Sequence, residues 1–125
     1  MKSCLGVVPP VVILLGLALH SAWPRPVHDR DRLAAAAAAA ARLLAAQPAG
    51  SAAEPTYLAR DRWPPAIAAL RPASVVIYPG TVDMPTKRLF DGGWGYGFAA
   101  DRRDLTMLSE CWSALGQGMY WHGPC

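Results

Sequence analysis

Residues 89–100 read LFDGGWGYGFAA, and the alternation within this stretch decides the fold of the C-terminal half. In an extended strand, successive side chains point to opposite faces. Trp94, Tyr96 and Phe98 therefore share one face, with small residues between them on the other. A row of glycines favours close approach by another part of the chain. We expect either a helix packed on the glycine face, with the alanine-rich helix as one candidate, or an aromatic core face with the glycines in solvent.

The residues before this strand predict a short helix and two further strands. The stretch AIAAL follows two prolines and predicts a short helix that turns Ile67 and Leu70 to one side. Residues 74–78 (SVVIY) are β-branched and aromatic, which favours a strand, and a Pro-Gly turn ends it. Residues 81–84 then predict a second short strand.

The residues after the glycine row predict one more helix and a terminal strand. Asp104 is a candidate N-cap, and Gly116 suits the position after a helix end. Helical spacing relates Leu105, Leu108, Trp112 and Leu115. Residues 117–122 (QGMYWH) predict the last strand. Residues 62–125 should thus form a small α+β domain, with an antiparallel sheet of three to four strands and one or two short helices.

The N-terminus is the most apolar part of the chain, and residues 1–23 predict a signal anchor or a signal peptide. No formal charge lies between Lys2 and Arg25, and residues 5–19 read LGVVPPVVILLGLAL. A helix of about 20 residues reaches about 30 Å, enough to cross the hydrocarbon core. We expect a single-pass anchor through residues 5–23, with the C-terminal part outside the cytoplasm. The alternatives are a cleaved signal peptide, which would leave a secreted protein, and a buried helix.

An alanine-rich helix within residues 24–48 follows the apolar segment, and residues 49–61 predict a linker. Alanine has the highest helix propensity, and eight alanines stand in a row here. Asp29 or Asp31 can cap the helix. One face carries Leu33, Ala37, Ala40 and Leu44. We expect a spacer helix that holds the domain away from the membrane.

Two of the three cysteines, Cys111 and Cys125, are candidates for a disulfide. In an exported domain the bridge would close a loop of about 15 residues, worth about 3 kcal/mol. A buried free Cys111 with a frayed terminus is the alternative. A metal site of Cys111, His122 and Cys125 has no standard zinc spacing and offers three ligands, so we expect no metal. Nucleophilic catalysis by Cys111 with His122 and Asp91 or Asp104 lacks any local signature.

The aromatic residues suggest a second role for the strand at 94–99. Trp94, Tyr96 and Phe98 would stack on a sugar ring, a peptide or an apolar partner if their face were exposed. Otherwise they form the core of a domain short of other large apolar residues. Acidic residues accompany the basic pairs, so no continuous basic stripe exists and we expect no nucleic-acid partner.

Composition limits the class of protein further. The chain has 125 residues, 53% of them hydrophobic, but 23 are alanines that bury little area each. Ten arginines against two lysines suggest a GC-rich, bacterial genome. We expect a membrane-anchored or exported domain of the cell envelope that binds an envelope protein or a glycan, with no cofactor and no catalysis. The alternatives are a glycan- or peptide-binding module with exposed aromatics and a small thiol or metal-dependent enzyme.

Overall fold

The computed structural model describes residues 9–21, 23–47, 54–90 and 92–125. These residues form three α-helices and six strands, so the fold is α+β as predicted, with more strands than the three to four expected. The helices are α1 (Pro10–Ser21), α2 (Arg30–Ala45) and α3 (Pro65–Ala68). The strands are β1 (Thr56–Tyr57), β2 (Val76–Tyr78), β3 (Thr81–Lys87), β4 (Trp94–Ala99), β5 (Trp112–Gly116) and β6 (Met119–His122). Single 3₁₀ turns occur at Arg60–Arg62, Arg102–Asp104 and Ser109–Cys111.

All six strands belong to one antiparallel sheet in the order β1-β2-β3-β4-β6-β5. Strands β2, β3, β4 and β6 lie in the stretches predicted to be strands, and β3 runs three residues further than expected. The predicted linker at 49–61 contributes strand β1 at one edge, while its residues 49–53 lie outside the described part of the chain. The sheet is therefore built from nearly every strand-forming stretch after residue 55.

Helix α2 forms where the alanine run predicts it, and Asp29 is its cap. The Asp29 carboxylate accepts a hydrogen bond of 3.0 Å from the backbone N–H of Arg32. The helix is not a spacer, however. Its predicted face packs on the sheet and shares one core with β3 and β4, and Ala36 and Ala40 are fully buried. Because alanine side chains are small, the large side chains of the sheet fill the space between α2 and the strands.

The helix predicted after Asp104 is wrong. Residues 112–116 instead form β5, which pairs with β6 as a hairpin. Leu105, Leu108 and Trp112 have helical spacing but do not form a helix, because the turn at residues 117–118 places residues 112–116 in a hairpin strand. Gln117 and Gly118 both have positive φ, at 58° and 80°, as the favoured two-residue hairpin turn requires. Local turn geometry therefore overrides the apolar pattern.

Helix α1 occupies twelve residues of the predicted anchor. Among the described residues, no helix has the length and apolar character needed to cross a membrane. Six of its apolar side chains are more than half exposed, and these are Val11, Val12, Ile13, Leu14, Leu15 and Leu17. Lys2, Cys4 and the first part of the apolar run lie outside the described residues, as does Ala22.

The packing of α2 predicts that helix positions differ in their tolerance of larger residues. Ala40→Leu should lower the free energy of unfolding by about 1–3 kcal/mol, because the added atoms overpack a closed interface. Ala41→Leu is the matched control, since Ala41 is exposed on the same helix. Chemical denaturation of both variants measures the difference. Equal stabilities for the two would mean that α2 does not pack on the sheet.

Candidate binding cleft

The two faces of the sheet are filled in different ways. Tyr96 and Phe98 of β4 point towards α2 and lie in the main core. The opposite face carries the glycines, and a Cβ atom on Gly97 would lie 2.7 Å from the indole ring of Trp112. A Cβ atom on Gly95 would lie 2.8 Å from the backbone of Pro85 and 3.1 Å from the ring of His122. Side chains rather than a helix therefore cover the glycine row, and neither glycine faces solvent.

The three aromatic residues considered for binding are buried. Trp94, Tyr96 and Phe98 are 5%, 2% and 8% exposed. The hydroxyl of Tyr96 accepts a hydrogen bond of 2.8 Å from the backbone N–H of Val27, and Trp94 packs edge-on against Trp23 at 5.4 Å between ring centroids. These contacts hold the segment before α2 on the sheet. The rings therefore present no exposed face to a sugar or a peptide, contrary to the binding interpretation.

The cysteine pair lies where the disulfide prediction requires. Cys111 and Cys125 are disulfide-bonded, with Cα atoms 5.8 Å apart. While the bridge is intact, neither sulfur is a free nucleophile or a free metal ligand. The remaining candidates for a catalytic group do not lie together in the described chain. His122 is buried and stacks edge-on with Trp112 at 4.6 Å between ring centroids.

Asp104 lies beside Gly80, and Asp91 falls outside the described residues, so no catalytic grouping of these residues is observed in the described chain.

The segment between β4 and β5 covers only half of the glycine face. Leu105 packs with Trp112 and Ala99 in a second small core. Arg102 secures this segment, because its guanidinium donates hydrogen bonds to the carbonyls of Ser109 (2.8 Å) and Trp112 (2.6 Å) and lies over the ring of Tyr120. The half of the same face formed by β2 and β3 remains open.

This open half is a cleft of about 320 Å³. The cleft is lined by Tyr57, Val76, Tyr78, Asp83, Pro85, Arg88, Leu89 and Gly92. The strand register explains this grouping, since Tyr57, Val76 and Asp83 are cross-strand neighbours on β1, β2 and β3. Volumes of this order suit small-molecule sites. We refer to these eight residues as the Asp83 cleft.

Asp83 is the most unusual group in the cleft. One carboxylate oxygen accepts a hydrogen bond of 2.8 Å from the Thr106 hydroxyl, while the other is buried with no hydrogen-bond partner among the described residues. Burial raises the pKa of Asp83, and the Thr106 hydrogen bond and the nearby His122 oppose that rise. A buried carboxylate oxygen without a donor is costly, and this cost adds to the effect of burial on Asp83.

Other polar groups surround this carboxylate. The guanidinium of Arg88 donates a hydrogen bond of 3.2 Å to the hydroxyl of Ser74 and is otherwise exposed. The pKa of Tyr78 is raised, first by burial and then by the charge of Asp83, with Arg88 opposing the rise. The Tyr57 side chain is 68% exposed at the cleft margin. The cleft thus combines a hydrogen-bond acceptor, a donor and two phenol rings.

The amino-acid sequence alone does not reveal this cleft. The signal was present in β3, where Val82 and Met84 enter the core and Asp83 between them must face the other side. Its significance depends on the partner strands, however. Tyr57 and Tyr78 join Asp83 only through the sheet register, which the sequence does not specify.

Comparison of the chain with known protein families, curated proteins and solved structures finds no match. The cleft must therefore be interpreted from its own geometry.

The close approach of Trp112 predicts that Gly97 cannot carry a side chain. Gly97→Ala should destabilise the fold by about 1–3 kcal/mol, because the indole ring must move. In a Trp112→Leu background the same change should cost much less, since a smaller side chain leaves room. Chemical denaturation of the four proteins gives the coupling between the two positions. Additive effects would show that the contact does not limit position 97.

The raised pKa of Asp83 predicts a pH-dependent stability difference between the wild-type protein and Asp83→Asn. The folded state favours the protonated carboxyl, so the contribution of Asp83 is most favourable below its ordinary pKa of 3.8. That contribution falls as the pH rises from this value through the raised pKa. The stability of Asp83→Asn relative to wild type should therefore increase over this interval. Denaturation from pH 3 to 7 tests this, and a change in the opposite direction would contradict a raised pKa.

Proposed function

We propose that this protein is a small membrane-attached domain of the cell envelope, which lies outside the cytoplasm and binds a partner without catalysing a reaction. Residues 5–23 would attach it to the membrane, as a single-pass anchor. If these residues act as a cleaved signal peptide instead, the same domain would be secreted.

The exposure of helix α1 is the observation that carries this proposal. Its apolar side chains from Val11 to Leu17 are 52–67% exposed and lie on all sides of the helix. A helix that is apolar all round is typical of a membrane environment. Twelve residues reach about 18 Å, so the proposed anchor needs the rest of the apolar run. Trp23, which is 57% exposed, would lie at the interface.

The disulfide supports a position outside the cytoplasm. Structural disulfides persist in oxidising compartments and are rare where thiols are kept reduced. Cys111 and Cys125 are 14 residues apart, and closing a loop of this size stabilises a domain by about 3 kcal/mol. A small domain gains substantially from such a bridge.

The Asp83 cleft supports binding as the activity. It offers an acceptor and a donor beside phenol rings, which is the composition of a recognition site. The sulfur of Cys111 is part of the disulfide, and His122 is buried against Trp112. A binding domain therefore explains the arrangement of polar groups better than a thiol enzyme does.

Membrane fractionation combined with thiol labelling tests the proposal. A full-length Cys4→Ser protein contains only Cys111 and Cys125, so labelling with a maleimide reports on the disulfide alone. We expect the protein to resist alkaline carbonate extraction and to be labelled only after reduction. The mass of the mature chain distinguishes an anchor from a cleaved signal peptide.

The control is Cys4→Ser/Cys111→Ser, in which Cys125 should react without reductant. If the Cys4→Ser protein were found in the cytosol with both thiols freely labelled, the proposed location and membrane attachment would be wrong.

A further inference from the structure

We infer that the Asp83 cleft binds an uncharged sugar ring, as part of a larger glycan. This inference rests on the proposed binding function and adds the chemical class of the ligand. It uses a different set of aromatic residues from the buried Trp94, Tyr96 and Phe98.

The first requirement of a sugar site is an acceptor for hydroxyl groups. Asp83 lines the cleft, and one of its carboxylate oxygens is already held by Thr106. This contact fixes the orientation of the side chain. The second oxygen has no hydrogen-bond partner among the described residues. That oxygen is too buried for a ligand to reach, so a ligand hydroxyl would instead donate to the remaining lone pair of the oxygen held by Thr106.

The second requirement is a donor that balances the charge of the acceptor. Arg88 lines the same cleft, and its guanidinium has further N–H groups besides the one bonded to Ser74. One carboxylate and one guanidinium leave the lining without net charge. A phosphate or a cationic ligand would meet a like charge on one side. An uncharged ligand with many hydroxyl groups bonds to both without repulsion.

The third requirement is an apolar surface for the C–H face of the ring. Tyr57 is 68% exposed, and Tyr78 lies half-buried beside it in the cleft. Tyr57 and Asp83 are two strands apart, which places their backbones about 10 Å from each other. This spacing admits one ring between a phenol face and the carboxylate. Phenol rings combine an apolar face with a polar edge, as a sugar ring does.

A zwitterion such as a free amino acid is the main competing ligand, because Asp83 and Arg88 carry opposite charges. Two features favour the sugar. Asp83 is partly buried and one of its oxygens already accepts from Thr106, which leaves room for one small donor rather than for an ammonium group that needs several acceptors. The exposed Tyr57 also leaves the cleft open at its margin, where the rest of a glycan can extend.

The test is calorimetric titration of the full-length protein in lipid nanodiscs prepared without glycoside detergents. The probes are maltotriose, lactose and the trimer of N-acetylglucosamine, with glycine as a zwitterionic comparison and lysine as a cationic one. We expect at least one saccharide to bind and both amino acids to give no signal. Asp83→Asn should weaken binding about tenfold, through loss of a charged hydrogen bond.

A second pair of variants keeps the result independent of Asp83. Tyr57→Ala should weaken binding about fivefold, while Tyr57→Phe should retain it because the ring remains. Tyr57 is exposed on an edge strand, so its loss leaves the core intact. Asp61→Asn changes an exposed aspartate outside the cleft and should alter affinity by less than about twofold.

The sugar assignment would be overturned if no saccharide bound, if binding were unaffected by the cleft variants, or if only the amino acids bound. These outcomes are separate from failure of the proposed function. A protein that stays in the membrane with its disulfide protected, yet binds no saccharide, retains the proposed location and loses the sugar ligand. A cytosolic protein with free thiols loses the location whatever it binds.

Discussion

The contact between the Trp112 indole and the bare backbone at Gly97 is the constraint on which the rest of the structure depends. A ring that lies directly on a strand covers much of one sheet face with a single side chain. Together with Leu105 and the stacked His122, it closes the half of the face over β4, β6 and β5. Because this cover is small, the half over β2 and β3 stays open. The cleft therefore exists because Trp112, Leu105 and His122 cover only the other half of the face.

On the opposite face, the sheet carries the large side chains and the helix packed against it carries the small ones. The large side chains are Met84, Tyr96 and Phe98, and those of the helix are mainly alanines. Alanine side chains let the α2 backbone come close to the sheet, where the larger strand residues fill the gap. The high alanine content therefore does not mean a weak core, because the buried area comes mainly from the strands.

The sequence predicted the elements whose signals are local. The alternation in β4, the cap at Asp29 and the proline-initiated α3 follow from neighbouring residues alone. The hairpin of β5 and β6 was missed because Trp112 satisfies helical spacing and strand alternation equally well. The cleft was missed for a different reason. Tyr57, 26 positions earlier, lies near Asp83 only because of the sheet register. Thr106, 23 positions later, reaches Asp83 from the segment between β4 and β5.

The bonds of Arg102 have a consequence for the sheet as a whole. Strand β5 is an outer strand, and the outward main-chain groups of such a strand can pair with another chain. At its first residue both are occupied, since the Trp112 N–H bonds to the Ser109 carbonyl and its own carbonyl accepts from Arg102. The other outer strand, β1, has two residues. At these two places the sheet therefore offers few free main-chain groups to a strand of a second chain, which limits edge-to-edge pairing.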